Sequence, residues 1–334
     1  MNTSSKRVSL GVGVGILTSA LVLAGCASDG DAQSDGGEGT GEEITVAFIP
    51  GIASDPFFRA MEIAAKEEAE ELGIRLIWQG AADQYSPQSQ LPFVDAALTE
   101  DLDALVLVPT DADALQPSVT KATAQGIPVI TVDTTVSDRS DLVSHITGDN
   151  HDGGERAAEE MNAQTGGSGK ILVISASPTN TTGTQRVEGF QSALADEYEG
   201  LELLPVQYAY SQPSEATTIL NTTLLESPDL AGVFAVDGTS CTGAVAALNN
   251  SNKVGEVKLI CYDAYAAQVE ELEAGAISAL IAQDPAQEAR LALRFAYAKA
   301  TGEGEDEIEE EVVIPNVVMN LDNLDETRSY QYAE

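Results

Sequence analysis

The chain has 334 residues, 43% hydrophobic and only 5% aromatic, with a formal charge of −38. That length exceeds one typical domain and suits two, with enough apolar residues for a sizeable core. The charge excludes a nucleic-acid partner, because duplex binding depends on Lys and Arg neutralising phosphates; it marks a solvated, acidic surface.

Lys6 and Arg7 form a short basic region, and Val8 to Ala24 is apolar, small and uncharged. This stretch is too short and Gly-rich for a membrane span and suits a secretory signal. It ends in Leu23-Ala24-Gly25-Cys26. That motif resembles the bacterial lipobox, in which the Cys sulfur receives a diacylglycerol and becomes the mature N-terminus. Residues 1–25 are therefore expected to be a lipoprotein signal peptide and Cys26 the lipidation site. Removing 1–25 takes away Lys6 and Arg7 and no acid, which moves the charge from −38 to −40. Residues 27–43 carry no large apolar side chain, so nothing there offsets the entropy of ordering. Residues 26–43 read as lipidated Cys plus flexible tether. The membrane would be reached by the lipid anchor only, at the outer face of the bacterial cytoplasmic membrane.

From Ile44 onward, short apolar strands alternate with amphipathic helices. The expected strands are Ile44–Ile49, Ile74–Trp78, Ala104–Val108, Pro128–Val132, a short fifth at Leu142–Ile146, then Lys170–Ser175, Ala231–Val236, Val257–Cys261 and Ile277–Ile281. Helical patterns between them include Phe57–Leu72, Ala112–Gln125, Gly153–Gln164, Thr184–Tyr198 and Pro285–Thr301. In the first, Phe57, Met61, Ala64, Ala65 and Leu72 share one face. Asp55 before Pro56 supplies an N-cap with Pro in the first turn, and Asp284-Pro285 repeats the device. Continuous apolar runs such as Ala104–Val108 mark strands buried on both faces. The alternation predicts an α/β fold with parallel sheets covered by helices on both sides. A break near His145–Asn150 divides it into two doubly wound lobes. Ligands in such folds sit beyond the carboxyl ends of the strands, so facing lobes make a cleft. The expected N-terminal lobe is 44–148 plus 284–314, and the C-terminal lobe 149–283 plus 315–334. The chain would cross between them near Ile146–Asp149, Gln283-Asp284 and Ile314-Pro315, a three-segment hinge.

The three cysteines divide into Cys26 and a remaining pair, Cys241 and Cys261. In an oxidising compartment the pair is either a disulfide or two buried thiols. With only His145 and His151 and no clustered ligand spacing, no metal site is expected. No cofactor motif, nucleophile elbow, P-loop or zinc motif is present, so no catalytic residue is assigned.

Polar residues collect at the expected strand ends. They are Asp55 with Phe57 and Phe58 after the first strand, Asp133-Thr134 after the fourth, Asp237 after Ala231–Val236, Tyr262 and Asp263 around the end of Val257–Cys261, and Gln283 after Ile277–Ile281; Arg186 opens a helix in the second half. Together with Pro109–Ala114, Gly126–Asp133, Val143–Ile146, Asp149-Asn150, Gly153-Gly154, Arg186–Phe190 and Ile281–Gln283, these segments resemble the pentose and hexose periplasmic-binding-protein family, of which the ribose-binding protein is the type. The resemblance covers about residues 44–320. It implies the type I periplasmic-binding-protein fold and a sugar held by Asp55, Phe57, Phe58, Asp133, Arg186, Asp237, Asp263 and Gln283. Tyr262 stands where the family's ring stacks near the sugar, and a further aromatic position falls near Tyr210. Two departures stand out: Thr134 replaces an Arg, and Asp237 replaces an Asn.

The chemistry suits such a ligand. A sugar has apolar C–H faces for aromatic rings and a rim of hydroxyls that both donate and accept. With Asp55, Asp133, Asp237 and Asp263 ionised against Arg186, the pocket carries −3, which disfavours sugar acids and phosphates. Neutral sugars or polyols fit, and a cationic amino sugar is compatible. The expected role is a monomeric, lipid-anchored solute-binding protein that closes on a small neutral sugar and serves the permease of an ABC importer. The alternatives are a sugar sensor coupled to a chemoreceptor or kinase, and a carbohydrate-active enzyme using paired carboxylates.

Overall fold

The computed structural model describes residues 43–333; the signal segment, Cys26 and nearly all of the tether lie outside the described residues. In chain order the elements are β1 (Thr45–Ile49), α1 (Pro56–Leu72), β2 (Arg75–Trp78), α2 (Pro87–Ala97), β3 (Ala104–Leu107), α3 (Gln116–Ala124), β4 (Val129–Val132) and β5 (Ser144–Gly148). Then follow α4 (Asn150–Thr165), β6 (Gly169–Ser175), α5 (Thr181–Asp196), β7 (Leu201–Leu203), β8 (Gln207–Tyr208), α6 (Pro213–Glu226), β9 (Leu230–Ala235) and α7 (Gly238–Ser251). The chain ends with β10 (Lys258–Tyr262), α8 (Ala266–Glu273), β11 (Ala279–Ala282), α9 (Pro285–Thr301), β12 (Glu311–Ile314), β13 (Val317–Met319) and α10 (Leu324–Thr327).

The strands form two sheets, the mark of an α/β fold with two doubly wound lobes. One sheet runs β12-β5-β4-β3-β1-β2, parallel throughout. The other runs β13-β11-β10-β9-β6-β7, with β8 beside β6, and only β13 is antiparallel. Every residue of β1, β3, β4 and β11 is buried, as expected for strands with helices on both faces. The chain passes between the sheets three times: after Gly148, after Gln283, and through Pro315-Asn316 between β12 and β13. Helix α9 follows the second crossing and packs on β3, β4, β5 and α1.

The caps explain the element starts. Asp55 accepts the Phe57 N–H, Pro56 opens α1, and Gly73 at φ 69° closes it. Asp284 caps α9 in the same way. Helix α3 begins at Gln116, later than its periodicity predicts, because Asp111 Oδ1 accepts the N–H groups of Asp113 and Ala114 and holds that stretch in a turn. Helix α5 begins earlier, at Thr181, because Asn180 caps it. Strands β7, β8, β12 and β13 lie outside the expected set.

Close packing fixes the helix that carries Arg186. A Cβ on Gly154 of α4 would stand 2.1 Å from the Arg186 carbonyl oxygen, and one on Gly189 of α5 2.0 Å from the His151 oxygen. The two backbones therefore touch, and neither position admits a side chain.

Candidate functional site

A cavity of about 60 Å³ lies where the carboxyl ends of the two sheets face each other. One side presents Ile52, Asp55, Phe57, Phe58, Tyr85 and Asp133; the other presents Ala176, Asn180, Thr182, Arg186, Ser211, Asp237, Thr239, Asp263 and Tyr265, with Gln283 at the crossing. Phe57 and Phe58 both reach the wall, edge to face with centroids 5.2 Å apart. An adjacent pair at a helix start is expected to send one ring to the core. Here both rings sit at the first turn of α1, where it meets the cleft.

Arg186 is the hub. Nε donates to Asn150 Oδ1 at 2.8 Å, one terminal nitrogen to the Val236 carbonyl at 3.1 Å, and the other to Gln283 Oε1 at 2.8 Å. Gln283 Nε2 donates in turn to Asp263 Oδ1 at 2.7 Å. The Asp263 Oδ2 atom accepts the Gly238 N–H at 2.8 Å. Asp133 approaches Arg186 at 3.9 Å from the other lobe. The cation and its partners are buried, so each charge is worth more than on the surface and its pairing matters more.

Asp133 and Asp263 both take positive φ, 58° and 75°. A non-Gly residue holds that conformation only where its surroundings fix it, and such residues cluster at functional sites. Asp133 is held by its N–H to the Ile146 carbonyl and by Thr147 Oγ1 on its own carbonyl.

Burial raises the carboxyls. Asp55 is pushed from 3.8 to about 7 by desolvation first and by the Asp263 charge second, against the N–H of Phe57. Asp133 rises by burial although Arg186 opposes it, and Asp263 rises for the same reason. The cleft is therefore less negative near neutrality than the formal count of its carboxylates.

Among the described residues, three hydrogen-bonded pairs join the lobes away from the crossings. The Tyr265 hydroxyl donates to Asp55 at 2.9 Å, Asn180 Nδ2 to the Tyr85 hydroxyl at 3.0 Å, and the Thr135 N–H to Thr181 Oγ1 at 3.2 Å.

Three expected residues do not line the cavity. Tyr262 ends β10 with its ring turned away, stacked under the Arg186 guanidinium at 3.7 Å, and its hydroxyl accepts from Asn316. The neighbouring Asp263 faces the cavity, and successive side chains at a strand end point to opposite faces. Thr134 is buried and donates to the Pro109 carbonyl at 2.7 Å. Tyr210 is 62% exposed; its neighbour Ser211 reaches the wall instead. Asp237 lines the cavity while capping α7, with its oxygens accepting from Ser240 N–H and Oγ and from Thr239. Sequence reasoning missed Tyr85, Asn180 and Tyr265. Asn180 carried a signal, an N-cap residue before a helical pattern; the two tyrosines lie in loops without one.

Cys241 at the start of α7 and Cys261 on β10 are bridged, with Cα atoms 5.6 Å apart. Among the described residues no group of three or more His, Cys, Asp or Glu is placed to hold a metal ion. Among them, too, no helix is long and apolar enough to cross a membrane.

Residues 46–304 match the family model of the periplasmic binding protein domain. The chain belongs to that family. The periplasmic binding protein domain here has the type I architecture. A ribose import binding protein of Salmonella typhimurium is 29% identical over 73% of this chain and 80% of its own length. A D-ribose/D-allose-binding protein of Pseudomonas aeruginosa is 27% identical over 86% and 91%. A solved ABC transporter solute-binding protein of Agrobacterium vitis, bound with α-D-tagatopyranose, superposes with a TM-score of 0.83 at 32% identity, covering 87% of this chain and all of that one.

Proposed function

We propose that the protein is an extracytoplasmic solute-binding protein that captures one small neutral sugar or polyol between its lobes and delivers it to an ABC importer. The observation that carries this reading is the cavity: two phenylalanine rings on one wall, and carboxyl, amide and guanidinium groups from both lobes around the rim. Rings cover the C–H faces of a sugar, and the polar rim takes its hydroxyls in pairs. The space of about 60 Å³ is room for about four to six waters at roughly 10–15 Å³ each, which suits one monosaccharide ring and not a disaccharide. Arg186, the one cationic side chain among the lining residues, already donates to Asn150, the Val236 carbonyl and Gln283, which leaves no free cation for a sugar acid or phosphate and favours a neutral ligand.

In this reading Asp55, Phe57, Phe58, Asp133, Arg186, Asp237, Asp263 and Gln283 contact the sugar, and Asn180 and Tyr265 join them. The sugar's contacts with both lobes stabilise the closed form, which the permease recognises. Residues 1–25 direct export, Cys26 carries the lipid, and the stretch to residue 43 tethers a monomeric body to the outer face of the membrane. The relatives named for ribose and allose support the sugar class.

A thermal-shift screen of residues 44–334 against neutral sugars, polyols, amino sugars and sugar phosphates tests the reading. A sugar at about 100 times its Kd adds about 2.7 kcal/mol to stability. A sugar phosphate that outbinds every neutral sugar, or a screen without any shift, overturns it.

A further inference from the structure

The C-terminal tail places one buried phenol behind the cleft. After α10 the chain returns to the crossing point, where Tyr332 is 5% exposed. Its N–H donates to the Ala264 carbonyl at 2.9 Å. Its hydroxyl donates to Asp263 Oδ1 at 3.0 Å and accepts the Gln283 N–H at 3.3 Å. Its ring meets Phe57 edge-on at 5.9 Å and lies 6.0 Å from the Tyr265 ring. Phe57, Asp263, Tyr265 and Gln283 all line the cavity; Tyr332 stands just outside it. It therefore acts through residues of the wall.

The consequence lies in how Asp263 can accept. A carboxylate oxygen has two lone-pair directions. Oδ1 takes Gln283 Nε2 and the Tyr332 hydroxyl, so it is full. Oδ2 takes the Gly238 N–H and keeps one direction. Asp263 also sits at φ 75°, a conformation that needs external support. We infer that Tyr332 is a positioning residue that fills Asp263 Oδ1, leaves Oδ2 as the single acceptor offered to a ligand hydroxyl, and thereby sets which hydroxyl arrangement the cleft accepts. This rests on the sugar-binding reading above.

The test is Tyr332→Phe in the full mature chain, which keeps the ring and removes the hydroxyl, beside Tyr332→Ala, which removes both. D-ribose, D-allose and D-tagatose are titrated by calorimetry, and the Asp263 carboxyl is titrated by carbon NMR without any sugar. The Phe variant is expected to bind the best of the three about tenfold more weakly, equivalent to about 1.4 kcal/mol, and to discriminate less among them. Its ligand-free melting temperature stays within a few degrees of wild type. The Asp263 pKa rises in the variant, because the Tyr332 donor favours the carboxylate. A Phe variant equal to wild type in affinity, ranking and carboxyl titration, with only Ala impaired, reduces Tyr332 to packing and overturns the assignment. If wild type binds none of the three sugars, the choice of sugar is at fault and the wider screen above judges the sugar reading. The carboxyl titration then decides alone: an unchanged Asp263 overturns the contact, and a raised one upholds it.

Discussion

Replacing Asp55 by Asn should make the ligand-free protein's stability less dependent on pH. Asp55 titrates at about 7 in the folded protein against an ordinary 3.8. Its folded pKa is raised, so the folded state holds the proton more tightly than the unfolded chain does. Burial of this carboxyl therefore costs nothing below about pH 3.8, and the cost grows as pH rises until it levels off above about 7. At 1.36 kcal/mol per unit, the full cost is about 4 kcal/mol and the part that develops between pH 5 and 8 is about 2–3 kcal/mol. Asn caps a helix about as well as Asp and still offers an oxygen to the Tyr265 hydroxyl, but it cannot ionise. Urea unfolding of both proteins at pH 5, 6, 7 and 8 measures the difference. The variant should gain on wild type by about 2–3 kcal/mol across that range, or by about 5 °C in melting temperature. A difference of the same size at every pH would mean that Asp55 titrates normally and that the cleft is as negative as its formal count.

Other predictions concern the network and the core. Arg186→Lys keeps the charge but loses the fork that reaches Asn150 and Gln283, so sugar affinity should fall at least tenfold by calorimetry; a change under twofold refutes the hub role. Glu288 is fully buried on α9 with neither carboxyl oxygen hydrogen-bonded, and burial followed by the Asp133 charge holds its pKa well above 4.5. Glu288→Gln should therefore be more stable than wild type at pH 8 and should lose that advantage near pH 4, where both forms are neutral; denaturant titrations at the two pH values decide it. Cys241→Ser with Cys261→Ser opens a link between residues 20 apart and should cost about 3 kcal/mol of stability, read as a lower denaturation midpoint with unchanged sugar ranking.

The α/β alternation was legible because buried parallel strands are short uninterrupted apolar runs, as in Ala104–Leu107. The helix starts were legible because capping is local: Asp55-Pro56 and Asp284-Pro285 announce themselves within two residues. Strand β12 was not legible, since Glu309, Glu310 and Glu311 lead into a half-exposed edge strand that only its pairing with β5 makes a strand. The site divides in the same way. Asp133, Asp263 and Gln283 stand at strand ends, where topology sends side chains to the cleft; Arg186 does not open its helix as expected but lies in the second turn of α5, because Asn180 starts that helix at Thr181. Tyr262 was misplaced because adjacent positions at a strand end face opposite ways, and the turn in φ at Asp263 decides which one meets the cavity. Tyr265 in the cleft and Tyr332 behind it are placed by contacts far along the chain, from 210 positions away in the case of Tyr265 and Asp55. No local pattern encodes such a meeting.

The direct bonds Tyr265–Asp55, Asn180–Tyr85 and Thr135–Thr181 bear on speed as well as strength. They join the halves without passing through a guest, so entrance must wait for them to break. In stopped-flow mixing the observed capture rate should climb with sugar concentration and then level off at the frequency of spontaneous opening. Weakening one of these bonds, as in Tyr85→Phe, should raise that plateau.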